Sequence, residues 1–301
     1  MERIKQALEK ARLERQKSGG AATAQSGGNP ASGPVTYTQT RTVHIATEML
    51  RERRIICGIE QNAFTDAYKM LRTQVLQRLR ENKWNALAIT SPGVNEGKTV
   101  TAINLAISLA LEVNYTVLLV DADLRKPGVH SYFGIEAEYG LSDYLTSDKS
   151  LSELLVHPVE IPGFVILPGG KPLGNSAEML SSPKMARLVE ELKSRYSSRI
   201  ILFDVPPLLN AADALAFSPY VDAALLVLED AKTEAQDAKR AVELLQQSTH
   251  VLGTVLNKSW SPLPTAKDNS TPPLFAGWQS RAALIGAVVA NQFSKLRKQK
   301  S

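Results

Sequence analysis

Short apolar runs punctuate the middle of the chain: Ala86–Thr90, Thr116–Asp121, Phe164–Pro168, Arg199–Asp204, Ala223–Glu229 and Val251–Asn257. Each is too short for a helix of ordinary length and reads as a buried strand. Between them the apolar positions recur at helical spacing, over Thr99–Val113, Pro183–Tyr196 and Thr233–Ser248. A longer helical pattern precedes the first run, Asn62–Glu81, with Phe64, Met70, Leu71, Val75 and Leu79 on its apolar stripe. Continuously apolar strands alternating with helices predict an α/β fold, a parallel sheet covered on both faces. In such sheets ligands sit beyond the carboxyl ends of the strands.

The flanks differ in character. Residues 1–17 read as a short charged helix with Ile4, Leu8 and Ala11 as a thin apolar stripe. Residues 18–59 read as a flexible linker and lead-in, rich in Gly, Ala, Ser and Pro as far as Pro34. The folded domain is expected over 60–258. Residues 259–301 read as a proline-punctuated linker (Pro262, Pro264, Pro272, Pro273) and a basic tail. Within that tail, Ala282–Ala290 is small or apolar; it could lie on a membrane as an amphipathic anchor, dock on a partner or pack back on the domain. No apolar run approaches the ~20 residues that span a bilayer. A charged N-terminus without an apolar stretch gives no sign of a secretory signal.

Composition mainly narrows the chemistry. An apolar content of 44% supports a substantial core. A single cysteine, Cys57, excludes an internal disulfide framework, fits a reducing cytoplasm, and sits beside Ile55 and Ile56 as an ordinary small core residue. With one cysteine and four histidines, a structural zinc site has nothing to build on. The net charge of +5 is mild and concentrated at the two ends. The basic and aromatic interleaving of a single-strand nucleic-acid binder is lacking, so no nucleic acid is expected.

The first strand leads into Ser91-Pro92-Gly93-Val94-Asn95-Glu96-Gly97-Lys98-Thr99-Val100. A tight loop ending in Gly-Lys-Thr at a helix start directs successive backbone N–H groups inward, where the helix dipole favours anionic oxygens. Lys98 can reach the outer phosphates of a nucleotide, and the Thr99 hydroxyl is placed to ligate Mg²⁺. Pro92 stands where the first glycine of the usual phosphate-loop motif belongs.

Acidic residues follow two later strands: Asp121 and Asp123, spaced i and i+2, and Asp204. Carboxylates beside a phosphate loop hold Mg²⁺ or orient a nucleophile, and Asp121 or Asp123 could instead serve as a base for an incoming hydroxyl. Asn257 ends the last strand, where an amide could meet an adenine edge or simply close a turn.

These residues resemble one family. Gly97-Lys98-Thr99 with Asn104-Leu105-Ala106, Val120-Asp121-Ala122-Asp123-Leu124-Arg125-Lys126-Pro127 and Phe203-Asp204-Val205-Pro206-Pro207 look like the bacterial tyrosine kinases of exopolysaccharide synthesis. Gly140-Leu141-Ser142-Asp143, Leu167-Pro168-Gly169-Gly170 and Glu178-Met179-Leu180 extend the likeness, which covers roughly 60–258. The charged start, Met1 to Leu13, is similar to the free-standing autokinases beside exosortase-type polysaccharide systems.

The resemblance implies a P-loop NTPase fold with a mostly parallel, doubly wound sheet flanked by helices. It implies ATP and Mg²⁺ as cofactors, bound by the loop from Val94 to Val100 with Arg125 and Asn257. Thr99, Asp121, Asp123 and Asp204 would be the metal ligands, and Lys98, Asp121, Asp123 and Asp204 the catalytic set. Transfer of the γ-phosphate to tyrosines on neighbouring copies is implied, as are self-assembly and a membrane-embedded polysaccharide co-polymerase as activator. The protein would then be cytoplasmic and recruited to the inner face of the plasma membrane.

Two features depart from the family pattern. No tyrosine follows Tyr220, so Tyr37, Tyr132, Tyr139 or Tyr144 would have to replace the usual terminal acceptors. The ring-forming E-x-x-R-x-x-R helix motif takes the form Asp66-x-x-Lys69-x-x-Arg72, and lysine lacks the forked geometry of arginine. Two other readings share the fold: a partitioning or division-site ATPase switch, and an ATP-gated assembly subunit without kinase activity. The switch ATPases carry an extra lysine early in the loop, at the position of Gly93 here.

Overall fold

Among the described residues there are nine strands: β1 (Arg41–Val43), β2 (Ala86–Thr90), β3 (Thr116–Asp121), β4 (Val156–Pro158), β5 (Phe164–Leu167), β6 (Arg199–Asp204), β7 (Ala223–Glu229), β8 (His250–Ser259) and β9 (Ala287–Ala290). The computed structural model describes residues 40–112, 115–195, 198–259 and 287–290. The strands form one sheet in the order β1-β4-β5-β3-β6-β2-β7-β8-β9. Every pairing is parallel except β4 with β5. The parallel sheet expected from the apolar runs is therefore the one observed, and β2, the strand before the phosphate loop, lies between β6 and β7.

Alternate side chains of the central strands feed two separate cores. Leu87 and Ile89 of β2 join one, with Leu71 and Val75 of a long helix, α2 (Ala63–Asn82), and Ile103 and Ile107 of α3 (Lys98–Ala110). Ala86 and Ala88 join the other, with Leu188 and Leu192 of α8 (Pro183–Arg195) and Val242 and Leu245 of α10 (Ala235–Gln246). Burial on both faces is why these strands lack polar alternation. α2 starts at a true capping box: the Asn62 side chain accepts from the N–H groups of Phe64 and Thr65, and the Thr65 hydroxyl accepts from Asn62 N–H. The remaining helices are short: α1 (Thr47–Glu52), α4 (Val129–Tyr132), α5 (Leu141–Thr146), α6 (Leu151–Leu154), α7 (Ser176–Leu180) and α9 (Asp213–Phe217).

The folded unit starts before residue 60. β1 pairs with β4, and Ile45, Leu50, Ile55 and Cys57 are buried in the first core. Asn104, buried on α3, holds this segment down: its Oδ1 accepts from the N–H groups of Ile56 (3.1 Å) and Cys57 (3.2 Å), and its Nδ2 donates to the Arg54 carbonyl (2.9 Å). Residues 41–57, expected as part of the linker and lead-in over 18–59, are thus paired or packed on the sheet, and residues 18–39 lie outside the described residues. A three-residue strand and a six-residue helix carry too few apolar repeats to register as periodicity.

At the other end, Ala287–Ala290 pairs parallel with β8 as a strand at the sheet edge. Ser259, expected as the first residue of the tail, ends β8; residues 260–286 and 291–301 of the tail and the charged start at residues 1–17 lie outside the described residues. Among the described residues no helix is long and apolar enough to cross a membrane.

Candidate active site

The loop after β2 is stitched to the segment after β6. The Thr90 hydroxyl donates to the Pro206 carbonyl (2.7 Å), and the N–H groups of Leu208 and Leu209 donate to the carbonyls of Ser91 (2.8 Å) and Pro92 (3.1 Å). Gly97 then turns the chain into α3 with φ of +95°, and a Cβ there would stand 2.0 Å from Asn257 Nδ2. Only glycine meets both demands. α3 has no side-chain N-cap, so N–H groups of its first turn face the loop as an anion would require.

β3 and β6 are neighbours in register, Asp121 opposite Asp204, so both carboxylates emerge at the same sheet end as the loop. Lys98 Nζ lies 2.8 Å from Asp123 Oδ2 and 3.3 Å from Asp204 Oδ1. The Thr99 hydroxyl donates to Asp204 Oδ2 at 2.6 Å. Asp121 is tied down instead: its Oδ2 accepts from the N–H groups of Gly128 (2.8 Å) and Val129 (2.9 Å), and its Oδ1 accepts from Asp123 N–H (3.3 Å). Five residues expected at the site from their positions in the sequence, Lys98, Thr99, Asp121, Asp123 and Asp204, are thus brought together.

The charges do not balance. One ammonium faces three carboxylates in a cleft where Asp121 and Asp204 are fully buried. Burial, with the Asp204 charge beside it, pushes the Asp121 carboxyl up to about 7, against the pull of the Val129 and Gly128 N–H groups and of Lys98. Burial also raises Asp204, against the pull of Lys98 and Thr99. Burial disfavours the Lys98 ammonium, but Asp204 and Asp123 outweigh it and keep the lysine charged.

A divalent cation fits that surplus of negative charge. Among the described residues no three His, Cys, Asp or Glu side chains converge to hold a metal by themselves. Mg²⁺ commonly takes only one or two carboxylates and completes its shell with phosphate oxygens and water, and the Thr99 hydroxyl beside Asp204 suits that mode.

Other expected residues stand around this centre. Val94, Asn95 and Glu96 form the loop, with Asn95 at φ of +63°, and Val100 lies in the first turn of α3. The half-exposed Arg125 is engaged elsewhere, its Nε donating to Asp213 Oδ2 (2.9 Å); the buried Asp213 also accepts from the Ser176 hydroxyl. Asn257 is turned to the loop: its Nδ2 donates to the Glu96 carbonyl (2.9 Å), and its Oδ1 accepts from Lys258 N–H.

Of the candidate tyrosines, Tyr139 is exposed, with Lys149 Nζ 3.8 Å from its ring centre, and Tyr132 and Tyr144 are half-buried. Tyr37 lies outside the described residues. In the helix motif, Lys69 pairs with Asp66 (2.8 Å), whereas Arg72 turns inward to Glu112 (2.7 Å) and the Ser108 carbonyl.

Three positions near the loop went unassigned in the sequence: Asn104, Thr233 and Lys258. Asn104 carried a readable signal, an amide within the apolar run Ala102–Ala110, because a buried amide needs partners. Thr233 and Lys258 act across the sheet, and nothing in local spacing marks them.

A family model described as an AAA domain matches residues 86–250, from β2 to the start of β8. The tyrosine-protein kinase YwqD of Bacillus subtilis (strain 168) is 35% identical over 208 residues, covering 68% of this chain and 86% of that protein. The tyrosine-protein kinase ptk of Acinetobacter johnsonii is 31% identical over 193 residues, 64% of this chain but only 26% of that longer protein. Among solved structures, the VpsO kinase domain superposes with a TM-score of 0.58 at 33% identity, over 64% of this chain and 94% of that domain. A nucleotide-binding α/β fold, three strand-end aspartates around the loop lysine and these relatives agree: the chain belongs to the family of bacterial tyrosine-protein kinases.

Proposed function

We propose that the chain is an ATP-dependent protein-tyrosine kinase that phosphorylates tyrosines on copies of itself. The observation that carries this reading is the cluster of Asp121, Asp123 and Asp204 around Lys98 at the mouth of the loop. The loop N–H groups from Val94 to Val100 bind and orient the phosphates, and Lys98, charged throughout, offsets charge on the transferred group. Thr99 and Asp204, with Asp121 or Asp123, would hold Mg²⁺, which would supply charge neutralisation on the phosphates. Asp123 is the better base of the pair, because its Oδ2 meets only Lys98, whereas Asp121 is anchored by three N–H groups. It would take the tyrosine proton as the oxygen attacks.

In this reading the kinase regulates exopolysaccharide polymerisation or export, assembles with other copies and is activated by a membrane-embedded co-polymerase at the inner face of the plasma membrane. Gly93 at the loop position of the switch ATPases' extra lysine supports a kinase over that class.

The test is incubation with Mg-ATP followed by phosphotyrosine detection and mass-spectrometric site mapping, with Lys98→Met as control. Label in the wild type that disappears in the variant is expected. ATP turnover without label would sink the kinase reading.

A further inference from the structure

The side of the loop facing away from the aspartates holds a second, separate network. Glu96 is buried (4% exposed), yet it carries a carboxyl group, which points toward the turn after β7. Its Oε2 accepts from Gly93 N–H (2.9 Å), folding the loop back on itself, and its Oε1 accepts from the Thr233 hydroxyl (2.5 Å). Thr233 Oγ1 in turn accepts from Glu229 N–H (2.8 Å) at the end of β7. Lys258 reinforces the link, its Nζ donating to the Asn95 carbonyl (2.8 Å) and pairing with Glu229 (2.9 Å).

Backbone strain gathers at the same place. Of the five non-glycine residues with left-handed φ among the described residues, three belong to this network or adjoin it: Asn95 (+63°), Ala231 (+58°) and Lys258 (+60°). Strained backbone persists where its surroundings hold it, and such places tend to be functional.

We propose that Glu96 and Thr233 form a positioning pair for the phosphate loop. The Glu96 carboxylate occupies an N–H of the loop from inside and fixes the loop in its binding shape before nucleotide arrives. Thr233 carries that restraint to the turn after β7. Neither side chain reaches the reacting atoms; their contribution is to nucleotide affinity, because a preformed loop loses less conformational freedom on binding. The inference rests on the nucleotide-binding reading above.

The full chain and a fluorescent ADP test it, with thermal melting in the absence of nucleotide run in parallel. Thr233→Val removes the hydroxyl at near-constant volume and is expected to weaken ADP binding roughly five- to tenfold, while Thr233→Ser stays within about twofold of wild type. Glu96→Ala is expected to weaken binding at least as much, and adding Thr233→Val to it to cost little more, since the two act as one unit. Wild-type affinity in Thr233→Val, a loss that Thr233→Ser shares, or effects that simply multiply would overturn the pair. If Glu96→Ala does not fold, the valine and serine variants decide the matter alone. Wild-type protein that binds no ADP would overturn the nucleotide reading and the pair together; binding that ignores both substitutions overturns only the pair.

Discussion

Asp121 shows how a single side chain can trade stability for chemistry. Its carboxyl is pushed up to about 7 in the fold, by burial first and by Asp204 second, from an ordinary value of 3.8. The folded state therefore binds a proton that the unfolded chain has already released, and stability falls as pH rises through that window. Without nucleotide, the melting temperature should drop as pH rises from about 4 to about 7, and Asp121→Asn should flatten the drop. Thermal melts across that range check it; an unchanged slope would show that the electrostatic cost lies elsewhere. At this scale much of the site was legible, because Lys98, Thr99 and the three aspartates sit in motifs a few residues long. Asn257 was harder. Its amide serves the Glu96 carbonyl, a contact between residues far apart in the chain that no local pattern records.

Among the elements, α3 does two jobs. Its uncapped first turn faces the loop, and one turn later Asn104 clamps residues 54–57 to the domain. Replacing Asn104 with alanine leaves the buried N–H groups of Ile56 and Cys57 without their acceptor, at a cost of about 2–4 kcal/mol. Urea unfolding should show the loss as an earlier midpoint. Strands β2, β3, β6 and β7 could be read from sequence to the residue, since runs buried on both faces are continuous and end at a charge or a turn. The helices were read to within a few residues because their ends depend on caps. The short pieces β1, β4, α1, α4, α5, α6, α7 and α9 were missed. None is long enough to show a period, and each is held by tertiary contacts rather than by its own propensity.

The whole molecule places its two chemical tasks on opposite sides of one strand. Beyond β6 lie the carboxylates; beyond β7 and β8 lies the network that shapes the loop. The same sheet depends on residues upstream of the motifs. Ile45, Leu50, Ile55 and Ile56 are buried, and removing each forfeits about 1.5–3 kcal/mol. Their sum is comparable with the whole stability of an ordinary domain. A chain begun at residue 60 should therefore fail to unfold cooperatively in a circular-dichroism melt, whereas one begun at residue 40 should retain a sharp transition. A cooperative melt of the shorter chain would mean that the early segment is dispensable.

Cys57 gives the molecule a built-in clock. It is the chain's one thiol, and burial pushes its pKa up to about 12, so a thiol reagent sees it only when the clamp made by Asn104 opens. The labelling rate then reports the opening free energy of a single contact, read without any engineered probe. Because the clamp and the loop share one helix, comparing that rate with and without nucleotide tests whether the two ends of the helix are coupled. An inert side chain thereby becomes a way to watch the site from behind.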